Sequence, residues 1–421
     1  MPGGIARVAR ALLLPLRPLL LGCALAGTPA LCGAQSNPAS PAGSVVAPTA
    51  ASRPDAIPAG TAPADAAAPK APAVPPGPPS GIALILPAKA DGFARASEVT
   101  RKGFMAAREV SVDKPAVQVL ETDGTAASAV VAYQQALAQN VAVIVGPLTK
   151  TEVAAVQNEA IRVPTLMLNA PDGALTSARG LYVLSLSTEL EAKVAAETAY
   201  RTEAGGAVIV TTPAPLSKRA AAAFAEAWTR LGGTVKATLE YAGNPVKIKR
   251  GVEQAKGDVV FLATDAERAR VIRPFLGRNT LIISTSQVYS VPPRADPVVS
   301  AGRVEPAKIN DLNGLRFIDM PWLHQPDHTA VMVYGRANPP LSADLERLYA
   351  LGIDAFRIAE QLARQRGSFN LDGVTGRLAV HEGLIDRAPI QAEYRDGTPV
   401  PLEGAVLAHG AADPGSAGAG R

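Results

Sequence analysis

The chain has 421 residues and carries 41 Lys and Arg against 37 Asp and Glu. Beyond residue 80 the balance is 36 basic to 35 acidic residues, so no overall basic excess points to a nucleic acid partner. Both cysteines, Cys23 and Cys32, lie before residue 35. The rest of the chain can therefore form no internal disulfide, and it offers no cysteine-ligated metal site or thiol nucleophile.

Residues 1–34 have the pattern of an export signal. Three arginines precede a short apolar run, which arginine and proline interrupt too often for a convincing membrane span. Its end has two interpretations. The sequence LLGC, which ends at Cys23, resembles a lipobox in which Cys23 is lipidated. Alternatively, the small residues at 32–34 would suit cleavage before Gln35.

Residues 35–80 are rich in Ala, Pro, Ser and Gly, and no aromatic residue precedes Phe93. Such a composition cannot bury a core. Because 16 of the 37 prolines lie in the first 80 residues, we expect a disordered, semi-stiff spacer on the order of 100 Å long when extended. Residues 403–421 are also low in complexity, which predicts a disordered tail.

From residue 82 onward, short apolar runs alternate with helical patterns. The run at 82–86 is entirely apolar, as expected of a strand buried on both faces. The pattern predicts strands at 82–86, 117–120, 141–145, 165–168 and 182–186, and helices at 95–110, 126–139 and 150–160. This alternation is typical of right-handed βαβ units around a parallel sheet.

The same pattern repeats in the second half of the chain. It predicts helices at 189–200, 218–231 and 267–275, and strands at 207–210, 235–239, 259–262 and 281–283. We therefore expect an α/β fold with two consecutive lobes of similar size, together spanning residues 81–402.

Three predicted helix starts carry the Thr-x-x-Glu pattern of a capping box, in which threonine accepts an amide bond and glutamate reaches back. They begin at Thr149, Thr188 and Thr264, each just after an apolar run. Because all three patterns directly follow a predicted strand, they support the prediction that a helix begins after each of these strands.

A later strand ends at Asp319, and Met-Pro-Trp follows it into a segment that we expect to be exposed. The helix predicted at 342–365 carries an apolar stripe, which we expect to dock on the protein's own sheet. Further strands are predicted at 371–380 and 390–394.

Enzymatic motifs are absent from the sequence: no phosphate-binding loop, dinucleotide-binding, serine-hydrolase or zinc-protease pattern occurs. His324 and His328 have the spacing of a helical metal pair, but Pro326 disfavours a regular helix between them. We therefore predict a solvated or partner-facing loop there, with no metal site, no cofactor and no enzymatic activity.

In open α/β sheets, ligands bind beyond the carboxyl ends of the strands. The loops at that edge predict an inter-lobe cleft lined by Lys89, Pro147, Thr149, Asn169, Thr212, Asp265 and Thr285. Thr149 could hold a carboxylate at a helix N-terminus, but we favour a simple capping role because Leu148 would obstruct a tight ligand. A small-molecule ligand could be accommodated but is not expected.

The sequence DLNGLRFIDMPW at 311–322, followed by LSADLERLYALGIDAF at 341–356, resembles the LppC/LpoA family of bacterial penicillin-binding protein activators. The turn LDGVTG at 371–376 is similar to one that follows the long helix of the type 1 periplasmic-binding (Venus flytrap) fold. Segments 101–107 and 143–150 fit the same fold. The resemblance covers about residues 81–402. It implies two Rossmann-like lobes joined by several crossings, with 311–320 as a crossing back to the first lobe.

The family resemblance implies a non-enzymatic regulator that binds a class A penicillin-binding protein and stimulates peptidoglycan synthesis. It also favours lipidation of Cys23 and an outer-membrane anchor over a soluble periplasmic protein that begins at Gln35. Better-known members carry a helical-repeat domain before this domain, whereas here a Pro/Ala-rich spacer precedes it. The alternative function is that of a solute-binding protein for an amino-acid-type ABC importer, which shares the fold.

A partner-facing surface is expected just after Asp319. A tryptophan that follows Met-Pro at a strand end is either part of the core or an anchor for a partner, and aromatic anchors dominate many interfaces. We therefore assign Trp322, Leu323, His324 and His328 as candidate partner contacts.

Overall fold

The computed structural model describes residues 77–173, 175–176, 178–203, 205–277, 280–290, 298–300, 303–305, 310–364, 367–381 and 383–402. All of them belong to one compact unit, Ala73–Arg421. The predicted export signal, Cys23, the spacer up to residue 76 and the tail at 403–421 lie outside the described residues.

The first lobe contains a five-stranded parallel sheet in the order β2-β1-β3-β4-β5. Its elements are β1 (Ile82–Leu86), α1 (Ala94–Val110), β2 (Val117–Glu121), α2 (Ala126–Ala138), β3 (Val143–Val145), α3 (Lys150–Val156), β4 (Thr165–Met167) and β5 (Leu181–Val183). Every residue of β1 is buried because alternate side chains enter two separate cores on the two faces of the sheet. This explains its uninterrupted apolar sequence.

The second lobe follows with a longer, mixed sheet. Its elements up to the next crossing are α4 (Thr188–Thr202), β6 (Gly206–Thr211), α5 (Pro215–Arg230), β7 (Thr234–Glu240), α6 (Pro245–Ala255), β8 (Val259–Leu262), α7 (Ala266–Ile272), β9 (Leu281–Ser284), β10 (Val298–Ser300), β11 (Arg303–Glu305) and β12 (Leu315–Asp319). Helix α6 and the β10–β11 pair were not predicted. Only Ile248 of α6 is buried, so its sequence carries little apolar signal.

The chain then returns to the first lobe and ends in the second. The remaining elements are α8 (Pro321–His324), α9 (Thr329–Met332), α10 (Ala343–Arg364), β13 (Phe369–Asp372), β14 (Arg377–His381), β15 (Leu384–Ala388), β16 (Ile390–Arg395) and β17 (Thr398–Pro401). Strands β13-β14-β15 form an antiparallel sheet, whereas β16 and β17 complete the order β17-β16-β12-β9-β8-β6-β7.

Within the described residues, the chain crosses between the lobes three times: after β5, after β12 and after β15. The prediction that 311–320 is itself a crossing was therefore only partly correct. Strand β12 pairs with β9 and β16 inside the second sheet, and the crossing begins at its end, beyond Asp319. The prediction of two α/β lobes is confirmed.

Only one of the three predicted capping boxes forms. Thr149 and Glu152 make both reciprocal bonds at the start of α3. The boxes at Thr188 and Thr264 are wrong because the preceding Ser187 and the following Asp265 cap α4 and α7 instead. Serine and aspartate are stronger N-caps than threonine, and each stood one residue from the predicted position.

Helices α1 and α10 of the first lobe cross at two glycines. A Cβ atom added to Gly103 would lie 1.9 Å from the Tyr349 carbonyl oxygen, and one added to Gly352 would lie 2.1 Å from that of Thr100. The two backbones therefore touch, and Phe104 packs edge-on against Phe356 beside them at 5.2 Å between ring centroids. The apolar side chains of α10 thus pack against α1 and share one core with β1 and β3, so the predicted docking on the protein's own sheet is only part of the arrangement.

We expect Gly352→Ala to lower the free energy of unfolding by about 2 kcal/mol, because the new methyl group would force apart two backbones. Urea denaturation of the variant measures this change. Gly335→Ala is the matched control, since nothing lies within 4 Å of the added atom. A Gly352→Ala protein as stable as the control would contradict the close helix crossing.

Candidate functional site

The three crossings surround a cluster of buried charged and polar groups. We call it the hinge cluster, and its members are Glu191, Ser286, Asp319, His324, Arg347 and Arg387. The first crossing leads into the first turn of α4, which supplies Glu191. The second begins at Asp319, and the third follows Arg387 on β15. One site therefore touches all three connections between the lobes.

Asp319 and Arg347 form the centre of the hinge cluster. Asp319 ends β12 and is completely buried, while Arg347 projects from α10 of the first lobe and is 6 % exposed. The guanidinium of Arg347 donates two hydrogen bonds to the Asp319 carboxylate, from Nε to Oδ1 at 3.2 Å and from Nη2 to Oδ2 at 2.9 Å. Nη2 also donates to the Ser286 carbonyl oxygen of the second lobe at 2.9 Å. Arg347 therefore ties the lobes together.

The charges of this pair stabilise each other. Burial alone would raise the pKa of Asp319, but the positive charge of Arg347 and the hydrogen bond from His324 hold it at about 2. Burial would likewise lower the pKa of Arg347, but the charge of Asp319 raises it above its ordinary range. Both groups are therefore ionised at neutral pH.

His324 completes the coordination of Asp319 from α8. Its Nε2 lies 2.9 Å from Asp319 Oδ2 and, because that carboxylate is ionised, Nε2 carries the hydrogen of the bond. The ring lies edge-on to Tyr289 at 4.6 Å and to Phe317 at 5.4 Å. The prediction that His324 faces a partner is wrong, since its side chain is only 2 % exposed.

Glu191 and Arg387 form a looser part of the hinge cluster. Glu191 Oε2 accepts from the Ser286 amide at 3.0 Å, while Oε1 lies 3.7 Å from Arg387 Nη2. Arg387 Nη1 donates to the Thr375 carbonyl oxygen at 3.1 Å. Burial raises the pKa of Glu191 and lowers that of Arg387, and in each case the partner's charge opposes this only in part.

Trp322 belongs to the core of the first lobe, so its assignment as a partner contact is wrong. Pro321 starts α8 immediately after the crossing and turns the indole inward, where it is fully buried. Its Nε1 donates to Glu346 Oε2 at 2.6 Å, and the guanidinium of Arg336 lies 3.9 Å from the ring centroid. Both the polar atom and the ring face are therefore satisfied within the protein.

The segment 325–340, which we call the strap, runs from α8 to the start of α10. Arg336 holds it over Trp322, and the Tyr349 hydroxyl donates to the Gly335 carbonyl oxygen at 3.1 Å. Pro326 lies between the short helices α8 and α9, so the predicted break in the helix is confirmed. Of the predicted partner contacts, Leu323 and His328 are half-buried, with His328 on the strap.

The strap exposes apolar side chains that the sequence reasoning did not single out. Met332 and Val333 are 66 % and 54 % exposed. The next residue, Tyr334, lines a cavity of about 260 Å³ together with the exposed Val110 and Val112 at the end of α1. Exposed apolar side chains gathered in one region are typical of a protein interaction surface.

The predicted cleft residues divide between the lobes. Lys89, Pro147, Thr149 and Asn169 lie on the first lobe, and Thr212, Asp265 and Thr285 lie on the second. Lys89 is exposed and Asn169 and Asp265 are half-buried, whereas Pro147, Thr149, Thr212 and Thr285 are buried.

Much of the polar chemistry at these positions is already used within the protein. The Asn169 amide donates to the Leu148 carbonyl oxygen at 3.1 Å, and Asp265 accepts from the Arg268 amide at 2.9 Å. The Thr212 hydroxyl accepts from the Ala214 amide at 3.3 Å.

The helix N-terminus at Thr149 is occupied by the protein's own carboxylate. Glu152 is fully buried and accepts from the Thr149 hydroxyl at 2.8 Å, from the Thr149 amide at 3.3 Å and from the Thr122 hydroxyl. An outside carboxylate would have to displace it. This geometry agrees with the expectation that Thr149 only caps its helix.

A second buried carboxylate, Asp354 of α10, organises the turn at 371–376. It accepts from the amides of Val374 and Thr375 at 3.0 and 2.8 Å, and from the Thr375 hydroxyl at 2.6 Å. Burial raises its pKa, and these hydrogen bonds counteract that rise. The turn therefore places Thr375, whose carbonyl oxygen holds Arg387, against the long helix.

In the part of the chain that the structure describes, no group of three or more His, Asp or Glu side chains could hold a metal ion. None of the helices there combines the length and apolarity needed to cross a bilayer.

The two lobes, the three crossings and the order of strands define a type 1 periplasmic-binding fold. Comparison with known proteins agrees. The chain is similar to a structure described as a putative branched-chain amino acid ABC transporter from Chromobacterium violaceum, with 32 % identity and a TM-score of 0.63 over 75 % of this chain and 99 % of that one. The C-domain of LpoA (YraM) from Haemophilus influenzae superposes with a TM-score of 0.62 at 23 % identity, over 77 % of this chain and 100 % of that one.

The family is shown by sequence. The model of the LppC putative lipoprotein family matches residues 73–257 and 253–397, and the chain belongs to that family. Among curated relatives, the penicillin-binding protein activator LpoA of Haemophilus ducreyi is 27 % identical over 329 residues, which cover 76 % of this chain and 54 % of the relative. The counterpart in Vibrio cholerae is 25 % identical over 346 residues, which cover 73 % and 55 %. The chain thus spans about half the length of the curated relatives it matches.

Removing Arg347 should destabilise the protein strongly. In Arg347→Met the buried Asp319 carboxylate would lose its main partner, which typically costs about 3–5 kcal/mol of unfolding free energy. Arg364→Met is the control on the same helix, since Arg364 is exposed and its ion pairs with Asp113 and Glu360 should contribute less than about 1 kcal/mol. Chemical denaturation distinguishes the two, and equal losses would contradict a central role for Arg347.

The stability contributed by Asp319 should depend on pH. Its folded pKa, about 2, lies below the ordinary value of 3.8, so its ionised form stabilises the protein fully above about pH 4. This contribution of about 2 kcal/mol should be lost as the pH falls towards 2. Glu191 and Asp354, whose pKa values burial raises, act in the opposite direction.

Comparison with Asp319→Asn separates these effects, because the other carboxyl groups remain in both proteins. The stability difference between wild type and variant, measured by denaturation at pH 7 and pH 2.5, should shrink at the lower pH. A difference that stays constant would show that Asp319 does not carry the pH dependence.

Proposed function

We propose that this protein is a non-enzymatic regulator of the bacterial envelope that binds a class A penicillin-binding protein and stimulates peptidoglycan synthesis. The observation that carries this proposal is the match to the LppC family over nearly all of the described fold. The curated relatives are named as activators of a penicillin-binding protein, and the Haemophilus influenzae domain is described as a regulator of PBP1A.

The candidate cleft gives independent support for a regulator rather than a solute carrier. In the first lobe, Glu152 uses the donors at the start of α3. In the second, the Ser217 hydroxyl accepts from the Thr212 amide at 2.8 Å and contacts Thr211. Donors that already have partners inside the protein have less to offer a small ligand.

We further propose that the synthase contacts the strap and the neighbouring end of α1. Met332 and Val333 supply exposed apolar surface there, and Leu323 and His328 lie close in sequence and remain partly accessible. Trp322 acts from beneath, because its contact with Arg336 fixes the strap to the first lobe. In this proposal Trp322 shapes the contact surface without touching the partner.

The family description as a lipoprotein supports a periplasmic location with an outer-membrane anchor at Cys23. Residue 23 lies outside the described residues, so its lipidation has to be tested on the mature protein. Mass spectrometry of the N-terminus should find a lipidated Cys23. A mature chain that begins at Gln35 would contradict the anchor.

Met332→Asp should weaken both binding and stimulation of a cognate class A synthase by about tenfold or more, since a charge in a desolvated apolar contact typically costs more than about 1.4 kcal/mol. Peptidoglycan polymerisation by the purified synthase, with and without the chain, measures stimulation, and calorimetry measures binding. Val131→Asp is the matched control because Val131 is 63 % exposed on α2, outside the strap.

The possible outcomes distinguish an error in the proposed contact surface from an error in the proposed function. If wild type stimulates and both variants behave like it, the contact surface lies elsewhere. If the folded wild-type chain neither binds nor stimulates any class A synthase of its own cell, the proposed function is wrong.

A second function is favoured by one observation. The Chromobacterium violaceum structure, described as a putative branched-chain amino acid ABC transporter, is 32 % identical and is covered over 99 % of its length. This chain would then be a solute-binding protein. A thermal-shift screen with amino acids tests this directly, because a ligand that binds only the folded state raises the melting temperature. No shift at millimolar concentrations would exclude it.

A further inference from the structure

Arg387 is a buried cation with unused hydrogen-bond donors. The residue is 6 % exposed, and its Nε and Nη2 have no hydrogen-bond partner among the described residues. A buried donor without a partner is destabilising relative to one that is bonded. The nearest acceptor in the hinge cluster is Glu191 Oε1, which lies 3.7 Å from Nη2, about 1 Å beyond a charge-assisted hydrogen bond.

The two partners are anchored in different lobes. Arg387 Nη1 is held by the Thr375 carbonyl oxygen, and Asp354 of α10 fixes Thr375 in the first lobe. Glu191 Oε2 is held by the Ser286 amide in the second lobe. The distance between Arg387 Nη2 and Glu191 Oε1 therefore changes when one lobe moves relative to the other.

A pivot lies beside this gap. Arg347 of the first lobe donates to Ser286 of the second at 2.9 Å and grips Asp319 at the second crossing. These bonds are already short, so a small rotation of the lobes could proceed about them while the Arg387–Glu191 distance changes. The three crossings surround this point, which makes it the natural axis of such a rotation.

We propose that Arg387 and Glu191 form a latch between the lobes. In the structure described the two groups form an ion pair at 3.7 Å without a hydrogen bond, and in a second, closed arrangement Arg387 Nη2 donates to Glu191 Oε1. Closure would give a partner to a buried donor that is otherwise unused. A partner that binds one arrangement better than the other would shift the population between them.

Distances between spin labels test the latch in the full chain. Val131→Cys on α2 of the first lobe and Ala222→Cys on α5 of the second place labels on exposed helical positions. Cys23→Ser and Cys32→Ser remove the native thiols. Double electron–electron resonance should give two inter-lobe distances in this background.

Arg387→Met should reduce the population with the closed latch at least about tenfold, as expected for the loss of a hydrogen bond between charged groups. Glu191→Gln, which keeps the shape of the side chain, should change the population in the same direction. Arg364→Met, which alters an exposed pair on α10, should leave both distances as they are.

Circular dichroism establishes that each variant is folded. If Arg387→Met does not fold, Glu191→Gln and the wild-type distribution still decide the question. A single narrow distance in the wild type would overturn the proposal. So would two distances whose populations remain unchanged in the folded variants.

Discussion

The Asp319 carboxylate at the end of β12 lies in a fully buried position between the lobes, and an isolated charge there would be strongly destabilising. Arg347 of the first lobe supplies the opposite charge that Asp319 needs, and His324, in the first turn after the crossing, donates a further hydrogen bond to it. The remaining features of the hinge follow from this ion pair between Asp319 and Arg347. Because Arg347 must reach Asp319, α10 has to lie across the junction, and its glycine crossing with α1 holds it there. The strap, the core position of Trp322 and the turn held by Asp354 all depend on where α10 lies.

Much of the fold could be predicted because local sequence carries it. The apolar run of β1 and the alternation of strands and helices reflect burial in a parallel sheet. The hinge cluster could not be found in this way. Glu191, Asp319, Arg347 and Arg387 are far apart in sequence, and each looks like an ordinary surface charge. Trp322 was misplaced because a Met-Pro-Trp sequence does not reveal which way the indole turns. Pro321 starts a helix, and that helix directs the ring inward.

The two lobes use a fold suited to closing around a small molecule, but the polar groups nearest the predicted cleft are engaged with one another. Glu152 at α3 and Ser217 near the start of α5 both use donors or acceptors that a ligand would need. Exposed apolar side chains of the first lobe include Met332 and Val333 on the strap and Val110 and Val112 at the end of α1. This distribution favours recognition of a protein on the outside of the lobes over capture of a solute between them. Since the chain spans about half the length of its curated relatives, the relatives' activity is a proposal for this protein.

Hydrogen exchange of the chain in complex with a class A penicillin-binding protein measures where the partner binds. We expect slower exchange in the strap at 325–340 and at the end of α1, with the cleft loops at 146–149 and 212–217 unchanged. Protection confined to those cleft loops, with the strap exchanging as in the free protein, would contradict it.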